Sequence, residues 1–251
     1  MIIAVTNQKG GVGKTTTSVN LSASLAELGR QVLLIDFDPQ GNSSSGLGIS
    51  NINHSIYDAL MDIADINQCI MPTPQKNLDI IPTDIGLAGA ELELANMPKR
   101  EYKLKKLIAK IEKKYDDIFI DCPPSLNLLT INALTAAESV IIPIQCEYYA
   151  LEGVSSLMNT IARVKSNFNP KLDIDGIVLT MLDGRTNLGL QVVESVKKHF
   201  KKKVYSVAIP RNVRLSEAPS HGLPINLYDN RSIGNDAYTR LAKEYLKRRK
   251  K

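Results

Sequence analysis

The chain has 251 residues, of which 43% are hydrophobic, and a formal net charge of +5. A chain of this length can bury a substantial core, so we expect one α/β domain over residues 1–251. No run approaches the roughly 18 apolar residues of a membrane span, and the N-terminus lacks a signal-peptide pattern, which predicts a cytoplasmic protein. The basic balance favours polyanionic partners.

The cysteines and histidines, three of each, show none of the spacings of a metal site, and an odd number of cysteines favours reduced thiols. We place the excess of lysine and arginine in the C-terminal half, where basic residues cluster at residues 197–203 and in the tail at residues 243–251. These side chains are candidate additional contacts for a polyanion.

Apolar runs alternate with helical patterns along the chain. Strands are predicted at residues 2–6, 31–36, 78–82, 117–121, 138–144, 174–180 and 203–208. Helices are predicted at residues 15–28, 99–115, 125–136, 150–166, 189–199 and 233–249, with shorter helical pieces at 55–61 and 87–94 in a less regular region. This alternation predicts right-handed crossovers and a largely parallel, twisted sheet with helices on both faces.

Residues 8–16 read Gln-Lys-Gly-Gly-Val-Gly-Lys-Thr-Thr and lie between the first predicted strand and the first helix. This is the context of a phosphate-binding loop, although Gln8 replaces the usual first glycine. Lys14 would neutralise phosphate charge, and the Thr15 hydroxyl would ligate Mg²⁺. The expected nucleotide contacts are Lys9, Gly10, Gly11, Val12, Gly13, Lys14, Thr15 and Thr16. The alternative is a glycine-rich turn with a chance Gly-Lys-Thr.

An additional lysine, Lys9, lies on the loop itself and cannot easily reach the phosphates that its own loop wraps. It is therefore expected to serve a second nucleotide. The pattern resembles the deviant Walker A signature of the ParA/MinD ATPases, which implies that Lys9 crosses a two-fold interface to the ATP of a partner subunit. The alternative is a solvated lysine that contributes little to stability.

A second apolar run ends in Asp36 and Asp38, followed by Pro39. Ligands of open α/β sheets sit at this carboxyl edge. The segment resembles the second motif of the same family, and the resemblance implies that Asp38 orients the attacking water and that Asp36 lies near Mg²⁺. A strand-ending Asp-Pro turn would explain Pro39 but not Asp36.

A third apolar run, at residues 118–120, ends in Asp121 and a Pro-Pro pair. It has the form of a Walker B strand, whose carboxylate holds Mg²⁺ through water. Asp121 therefore joins Thr15 and Asp36 as a candidate metal residue, and Lys9, Lys14 and Asp38 are the candidate catalytic residues.

The distal half, at residues 145–153, 180–187 and 209–222, resembles the chromosomal ParA (Soj) branch of that family. The resemblance implies that Pro210 and Asn212 border the adenine ring and that Arg185 and Arg214 contact DNA phosphates. Arginine suits phosphate oxygens without reading sequence, which predicts nonspecific, salt-sensitive binding. The alternative is that both arginines pair with nearby acids such as Asp183 and Glu217.

The sequence of the C-terminal tail distinguishes between two branches of the family. MinD-like proteins end in an amphipathic membrane-targeting helix, whereas here Leu241, Tyr245 and Leu246 have a helical spacing that could face the domain, and the last five residues carry no hydrophobe. We expect a core-docked helix with a frayed basic end and no stable membrane anchor.

The resemblance implies a slow, Mg²⁺-dependent ATPase for DNA segregation, associated with the nucleoid. ATP would close a homodimer that binds nonspecific double-stranded DNA, and hydrolysis to ADP, stimulated by a ParB/Spo0J-type partner, would release it. The alternative function is a MinD-like membrane-associated positioning ATPase. An electron-transfer relative would need paired cluster cysteines, which are not evident.

Overall fold

Seven strands form one sheet in the computed structural model, which describes residues 1–147, 150 and 154–249. They are β1 (Ile2–Val5), β2 (Val32–Asp36), β3 (Met71–Pro72), β4 (Leu78–Ile81), β5 (Asp117–Asp121), β6 (Ser139–Gln145) and β7 (Asp173–Thr180). Their spatial order is β3-β4-β2-β5-β1-β6-β7. Each neighbouring pair is parallel except β3 with β4.

Helices connect the strands. They are α1 (Lys14–Glu27), α2 (Asn42–Gly46), α3 (Ile56–Leu60), α4 (Ala90–Ala95), α5 (Lys103–Ile108), α6 (Leu128–Ala136), α7 (Val154–Asn167), α8 (Asn187–Phe200), α9 (Val213–Glu217), α10 (Ile225–Tyr228) and α11 (Ile233–Arg249). Short 3₁₀ turns occupy Ile66–Cys69, Ile85–Ala88, Arg100–Tyr102, Glu112–Lys114, Lys201–Lys203 and Ala218–His221.

The central strands are buried on both faces. In β2, Leu33 and Ile35 join one hydrophobic cluster, while Val32 and Leu34 join the other. This alternation follows from the two-residue period of a strand, and burial on both faces is the usual state of a parallel sheet covered by helices. The predicted fold class is therefore confirmed, with α1 and α11 over one face and α5 and α6 over the other.

Residues 203–208 do not form the strand that the sequence predicts. Val204 makes only an isolated parallel bridge to Ile177. The Tyr205 N–H still donates to the Ile177 carbonyl of β7 at 2.9 Å, but the N–H groups of Ser206 and Val207 donate to the Glu244 carboxylate of α11, at 3.0 and 3.3 Å. A side chain from the neighbouring helix therefore takes two of the backbone donors in this segment, and the ladder to β7 does not continue past Tyr205.

Other boundaries also differ from the sequence prediction. The helix predicted at residues 99–115 is divided into a 3₁₀ turn, α5 and a second 3₁₀ turn. The two-residue strand β3 was not predicted. The start of the helix predicted at residues 150–166 falls partly outside the described residues, and α7 begins at Val154.

The C-terminal helix α11 docks against the body as its apolar spacing predicts. Leu241 and Tyr245 are fully buried, and Leu246 packs partly against the same cluster. The basic end is held rather than frayed as far as α11 is described, because the Arg248 guanidinium lies 3.9 Å from the Tyr205 ring centre and Arg249 lies 3.3 Å from that of Tyr245. Within the described part of the chain, every helix is too short or too polar to span a bilayer.

Candidate active site

The sheet brings three predicted segments together at its carboxyl edge. In the parallel register Val5 of β1 lies opposite Asp121 of β5, and Asp36 of β2 lies opposite the same residue on the other side. The loop after β1 and the acidic ends of β2 and β5 are therefore neighbours. This is the edge at which open α/β sheets bind ligands.

The loop at residues 8–16 wraps around its own lysine. Gly11 and Gly13 have φ angles of 71° and 84°, which side chains with a Cβ rarely adopt. Gly13 precedes α1 and gives no side-chain cap to it, so the first N–H groups of the helix remain available to an anion. The Lys14 ammonium donates to the Lys9 carbonyl at 3.2 Å, inside the loop.

Lys14 is only 7% exposed. Burial lowers the pKa of its ammonium, while the charges of Asp121 and Asp38 oppose that effect. Both carboxylates therefore lie close enough to act on the loop lysine. A phosphate group in the loop would supply the further negative charge that a buried cation requires.

Asp121 is fully buried and held by serines from two helices. Its two carboxylate oxygens accept hydrogen bonds from Ser18 of α1 at 2.9 Å and Ser43 of α2 at 2.7 Å. Burial raises the pKa of Asp121, and hydrogen bonds from Ser43, Thr15 and Ser18 counteract the rise. The Thr15 hydroxyl is thus adjacent to this carboxylate, as a shared metal site requires.

Asp36 is also fully buried, but only half of its carboxylate is satisfied. Oδ2 accepts from the Ser44 backbone N–H at 2.8 Å and from its hydroxyl at 2.7 Å, whereas Oδ1 has no partner among the described residues. Burial, followed by the charge of Asp121, raises the pKa of Asp36 to about 7. Two adjacent buried carboxylates, one with a free oxygen, are a donor set that suits a hard cation such as Mg²⁺.

Asp38 lies where the chain leaves β2 and is 7% exposed. Its Oδ1 accepts the Gln40 backbone N–H at 3.0 Å, and its carbonyl accepts that of Gly41 at 2.9 Å. The turn positions the carboxylate beside the loop and leaves Oδ2 without a hydrogen bond inside the described structure.

The backbone of Lys9 is fixed while its side chain is half-buried. Its N–H donates to the Asn7 side chain at 3.1 Å, and Asn7 in turn donates to the Pro143 carbonyl at 2.7 Å. No acid in the described ranges forms an ion pair with the Lys9 ammonium.

A cavity of about 110 Å³ adjoins the loop on the α1 side. Pro210 and Asn212 both line it, together with Gly13 and Thr16 of the loop. The Asn212 side chain also caps α9 by accepting the Leu215 N–H at 3.3 Å. The structure therefore brings the two predicted base contacts to the phosphate loop.

Neither Arg185 nor Arg214 lines the cavity beside the loop, and each forms ion pairs with neighbouring acids. Arg185 is 90% exposed at its side chain and contacts Asp183 at 2.8 Å, and its hydrogen bonds lower the pKa of that carboxyl to about 2. Arg214 contacts Glu217 at 2.9 Å and Asp229 at 3.4 Å. The pairing that the sequence left open as an alternative is present in this chain.

Sequence reasoning missed the hydroxyl groups that hold the carboxylates, namely Ser18, Ser43 and Ser44. It also missed Thr180, whose hydroxyl donates to the Val12 carbonyl at 2.8 Å and so ties the end of β7 to the loop. A usable signal for two of them was the serine run directly after the Asp36 and Asp38 motif.

Comparisons with known proteins agree with this geometry. A family model described as an AAA domain matches residues 1–174. The chain is 61% identical to the sporulation initiation inhibitor protein Soj of Bacillus subtilis over 97% of each chain. It is 54% identical to the chromosome partitioning protein ParA of Myxococcus xanthus over 98% of this chain and 88% of that protein.

A similar solved structure is the cobyrinic acid a,c-diamide synthase from Mycobacterium smegmatis with bound ADP and magnesium. Its TM-score is 0.88 at 37% identity, and the match covers 99% of this chain and 95% of that chain.

The first strand leads through a glycine loop into a helix, and two neighbouring strands end in carboxylates. This is the architecture of the P-loop NTPases. The Soj and ParA relatives, which match over nearly the whole chain, identify the family within this class. The chain belongs to the ParA/MinD family of ATPases, within its chromosomal ParA (Soj) branch. The family prediction made from the motifs is therefore confirmed.

Proposed function

We propose that this chain is an ATP-dependent DNA segregation ATPase that uses a nucleotide-controlled homodimer to hold and release nonspecific DNA on the nucleoid. The observation that carries the proposal is its 54% identity, over 98% of its length, to a protein named for chromosome partitioning. The buried lysine and the two buried carboxylates at the loop supply the chemistry that such an ATPase requires.

The residues present fit a magnesium nucleotide. Lys9 to Thr16 would surround the phosphates of ATP or ADP, and Pro210 and Asn212 would border the base. Thr15, Asp36 and Asp121 would hold Mg²⁺, because a cation would compensate the charge of two adjacent buried carboxylates and would bind the Asp36 oxygen that has no partner among the described residues. Mg²⁺ when bound neutralises charge on the phosphates during transfer.

Asp38 would orient the attacking water, since its carboxylate lies at the loop and one oxygen remains available. Lys14 would stabilise negative charge that develops on the transferred group. Lys9 would add a second cation from the partner subunit. Because this charge is complete only in the dimer, hydrolysis by one chain alone is expected to be slow.

ATP would favour dimerisation through its differential affinity for the closed state. The Lys9 ammonium is a source of that difference, since it has no acidic partner in the described chain and would contact the nucleotide of the other subunit. ADP, with one phosphate fewer, would leave this contact weaker.

DNA would be held at Arg185 and Arg214. Their ion pairs with Asp183 and Glu217 are exposed and so contribute little to stability, which makes exchange of a carboxylate for a DNA phosphate inexpensive. Such contacts are independent of base sequence. A ParB/Spo0J-type partner would stimulate hydrolysis and release the DNA.

The MinD-like alternative is less well supported. A membrane-targeting tail has to present apolar side chains to lipid, but Leu241 and Tyr245 of α11 are fully buried. The relatives at 61% and 54% identity also carry names from sporulation and chromosome partitioning rather than from membrane positioning.

The test is DNA binding as a function of salt, with ATP, ADP or no nucleotide. We expect tight binding only with ATP, and we expect Arg214→Ala to lower the slope of log affinity against log salt by about one. Arg240→Ala is the matched control, because this exposed arginine has a similar ion pair, at 3.5 Å to Asp236. Equal affinity in the three nucleotide states would refute the switch, and binding to vesicles in place of DNA would favour the MinD-like function.

A further inference from the structure

One segment outside the active site carries an unusual charge. Residues 99–114 contain eight lysines and arginines and two glutamates, a net charge of +6, whereas the whole chain has a net charge of +5. The remainder of the protein is therefore close to neutral. This run lies in the N-terminal half, so the assignment of the basic excess to the C-terminal half was incomplete.

Helix α5 and the 3₁₀ turn before it present this charge to solvent. Leu104, Leu107 and Ile108 of α5 are buried, while Lys105 and Lys106 are exposed on its outer side. The helix is fixed by the Leu104 N–H, which donates to the Asn132 side chain of α6 at 3.2 Å. The lysines are thus mounted on a rigid element.

Some of the basic groups are neutralised within the chain and others are not. Lys103 pairs with Asp62 at 2.6 Å, and Lys110 pairs with Asp65 at 3.5 Å. No carboxylate of the described residues pairs with Lys99, Lys105 or Lys106. We call Lys99, Lys105 and Lys106, with the two hollows beside them, the α5 surface.

The hollows have apolar floors. One, of about 510 Å³, is lined by Met97, Pro98, Leu107 and Lys106, and also by the ion-paired side chains of Asp62, Lys103 and Lys110. The other, of about 540 Å³, is lined by Tyr102 and Ala109 with Lys99, Lys105 and Lys106 around it. Lys106 borders both hollows, so the two lie on either side of this lysine.

The α5 surface is separate from the site already described. Neither hollow includes a residue of the phosphate loop, of the base cavity or of the carboxylate cluster. α5 also packs in the hydrophobic cluster on the face of the sheet opposite to that of α1 and α11.

We propose that the α5 surface binds an acidic, amphipathic segment of a partner protein. Carboxylates of such a segment would pair with Lys99, Lys105 and Lys106, and its apolar side chains would enter the two hollows. Unpaired cations around apolar floors match this pattern of charge and hydrophobicity, because an interface buries an apolar centre inside a polar rim. The lysines would accelerate encounter and make binding salt-dependent.

A nucleic acid or an anionic lipid surface would satisfy the lysines of the α5 surface but not its apolar hollows. Both supply phosphate charge for the lysines, but DNA phosphates and sugars leave the Met97, Leu107 and Tyr102 surfaces without apolar contact. A flat lipid headgroup layer does not enter hollows on both sides of Lys106. The apolar floors therefore decide in favour of a protein segment.

The experiment uses two fluorescein-labelled peptides of about 15 residues, long enough for about four helical turns. One is glutamate-rich with leucines at helical spacing, and the other replaces each leucine by serine at the same charge. Fluorescence anisotropy measures binding to the full chain, at low salt and at about 0.15 M salt. A 20-base-pair duplex, a length of about two turns of B-DNA, and anionic vesicles are the competing ligands.

The leucine peptide is expected to bind the wild type in a salt-sensitive manner, and more tightly than the serine peptide. Lys105→Glu with Lys106→Glu should weaken it about tenfold or more, equivalent to about 1.4 kcal/mol. Lys197→Glu with Lys198→Glu on α8 changes the net charge equally and should leave it within about twofold. Ala109→Glu, which fills one hollow with a carboxylate, should also weaken it.

Four results would overturn the proposal. The first two are that the leucine peptide does not bind the wild type, or that the serine peptide binds it equally well. The third is that the α8 control variant binds the leucine peptide as weakly as the α5 variant does. The fourth is that the α5 variant loses duplex or vesicle binding to the same degree as peptide binding. ATP-dependent binding of DNA by the α5 variant reports separately on the proposed segregation function.

Discussion

Replacing Gly222 by alanine tests how tightly the helix that carries the active-site serines is seated. A Cβ at Gly222 would lie 2.7 Å from the Gly48 Cα and 3.1 Å from its nitrogen. Gly48 follows α2, whose Ser43 and Ser44 hold Asp121 and Asp36. Both contact atoms are backbone, so α2 or the Gly222 segment has to move.

The cost has two parts. Gly222 has φ +66°, where alanine costs about 1–2 kcal/mol relative to the right-handed region. Forcing a methyl group into a packed backbone contact adds about 1–3 kcal/mol. The expected loss of unfolding free energy is therefore about 2–5 kcal/mol. Displacement of α2 should also weaken Mg²⁺-ATP binding, because it moves the serines that orient the two carboxylates.

Gly29→Ala is the matched control. Gly29 has φ +88°, but a Cβ there meets nothing within 4 Å, so only the conformational cost of about 1–2 kcal/mol applies. Urea unfolding of both variants measures the difference, and titration with a fluorescent ATP analogue measures affinity. If the two variants lost equal stability and both kept the affinity of the wild type, the contact between α2 and the Gly222 segment would not support the site.

Two further predictions concern buried acids. Tyr245→Phe removes a 2.7 Å hydrogen bond to the fully buried Asp117 and should lower the free energy of unfolding, measured in urea, by about 1–3 kcal/mol. Tyr238→Phe should cost less, because among the described residues its hydroxyl contacts only the neutral Thr17, at 3.3 Å. Equal losses in the two variants would contradict this account. In metal-free protein, the pKa of Asp36 is about 7 in the folded state against an ordinary value of 3.8. Protonated Asp36 therefore stabilises the fold by at most about 4 kcal/mol. This stabilisation is complete below pH 3.8 and is lost as the pH rises to about 7. Asp36→Asn should therefore flatten the fall in stability between about pH 4 and about pH 7, and an unchanged profile would show that another group titrates.

The parts of the site that could be predicted from sequence are those encoded locally. The phosphate loop is continuous in the chain, and its glycines and Lys14 have fixed spacing between a strand and a helix. Asp36 and Asp121 each end an apolar run, and in a parallel sheet such ends meet at one edge. Each of these residues could therefore be predicted from its own short segment of sequence.

The parts that could not be predicted depend on contacts between distant segments. Ser18 and Ser43 reach Asp121 across 103 and 78 residues of sequence, and no spacing rule relates them. The strand expected at residues 203–208 does not form because Glu244 takes the backbone N–H groups of Ser206 and Val207. Helical periodicity at residues 99–115 likewise did not indicate where the helix would break into 3₁₀ turns.

The central claim is that Lys9 completes the nucleotide site of a neighbouring subunit. Sedimentation of the ATP-loaded Asp38→Ala variant, which should bind ATP without hydrolysing it, tests this directly. We expect a dimer of the 27.6 kDa chain with ATP and a monomer when Lys9→Ala is added, with Lys14→Ala as the control that should not bind nucleotide. A monomer in the presence of ATP, or a dimer that persists without the Lys9 ammonium, would contradict the account.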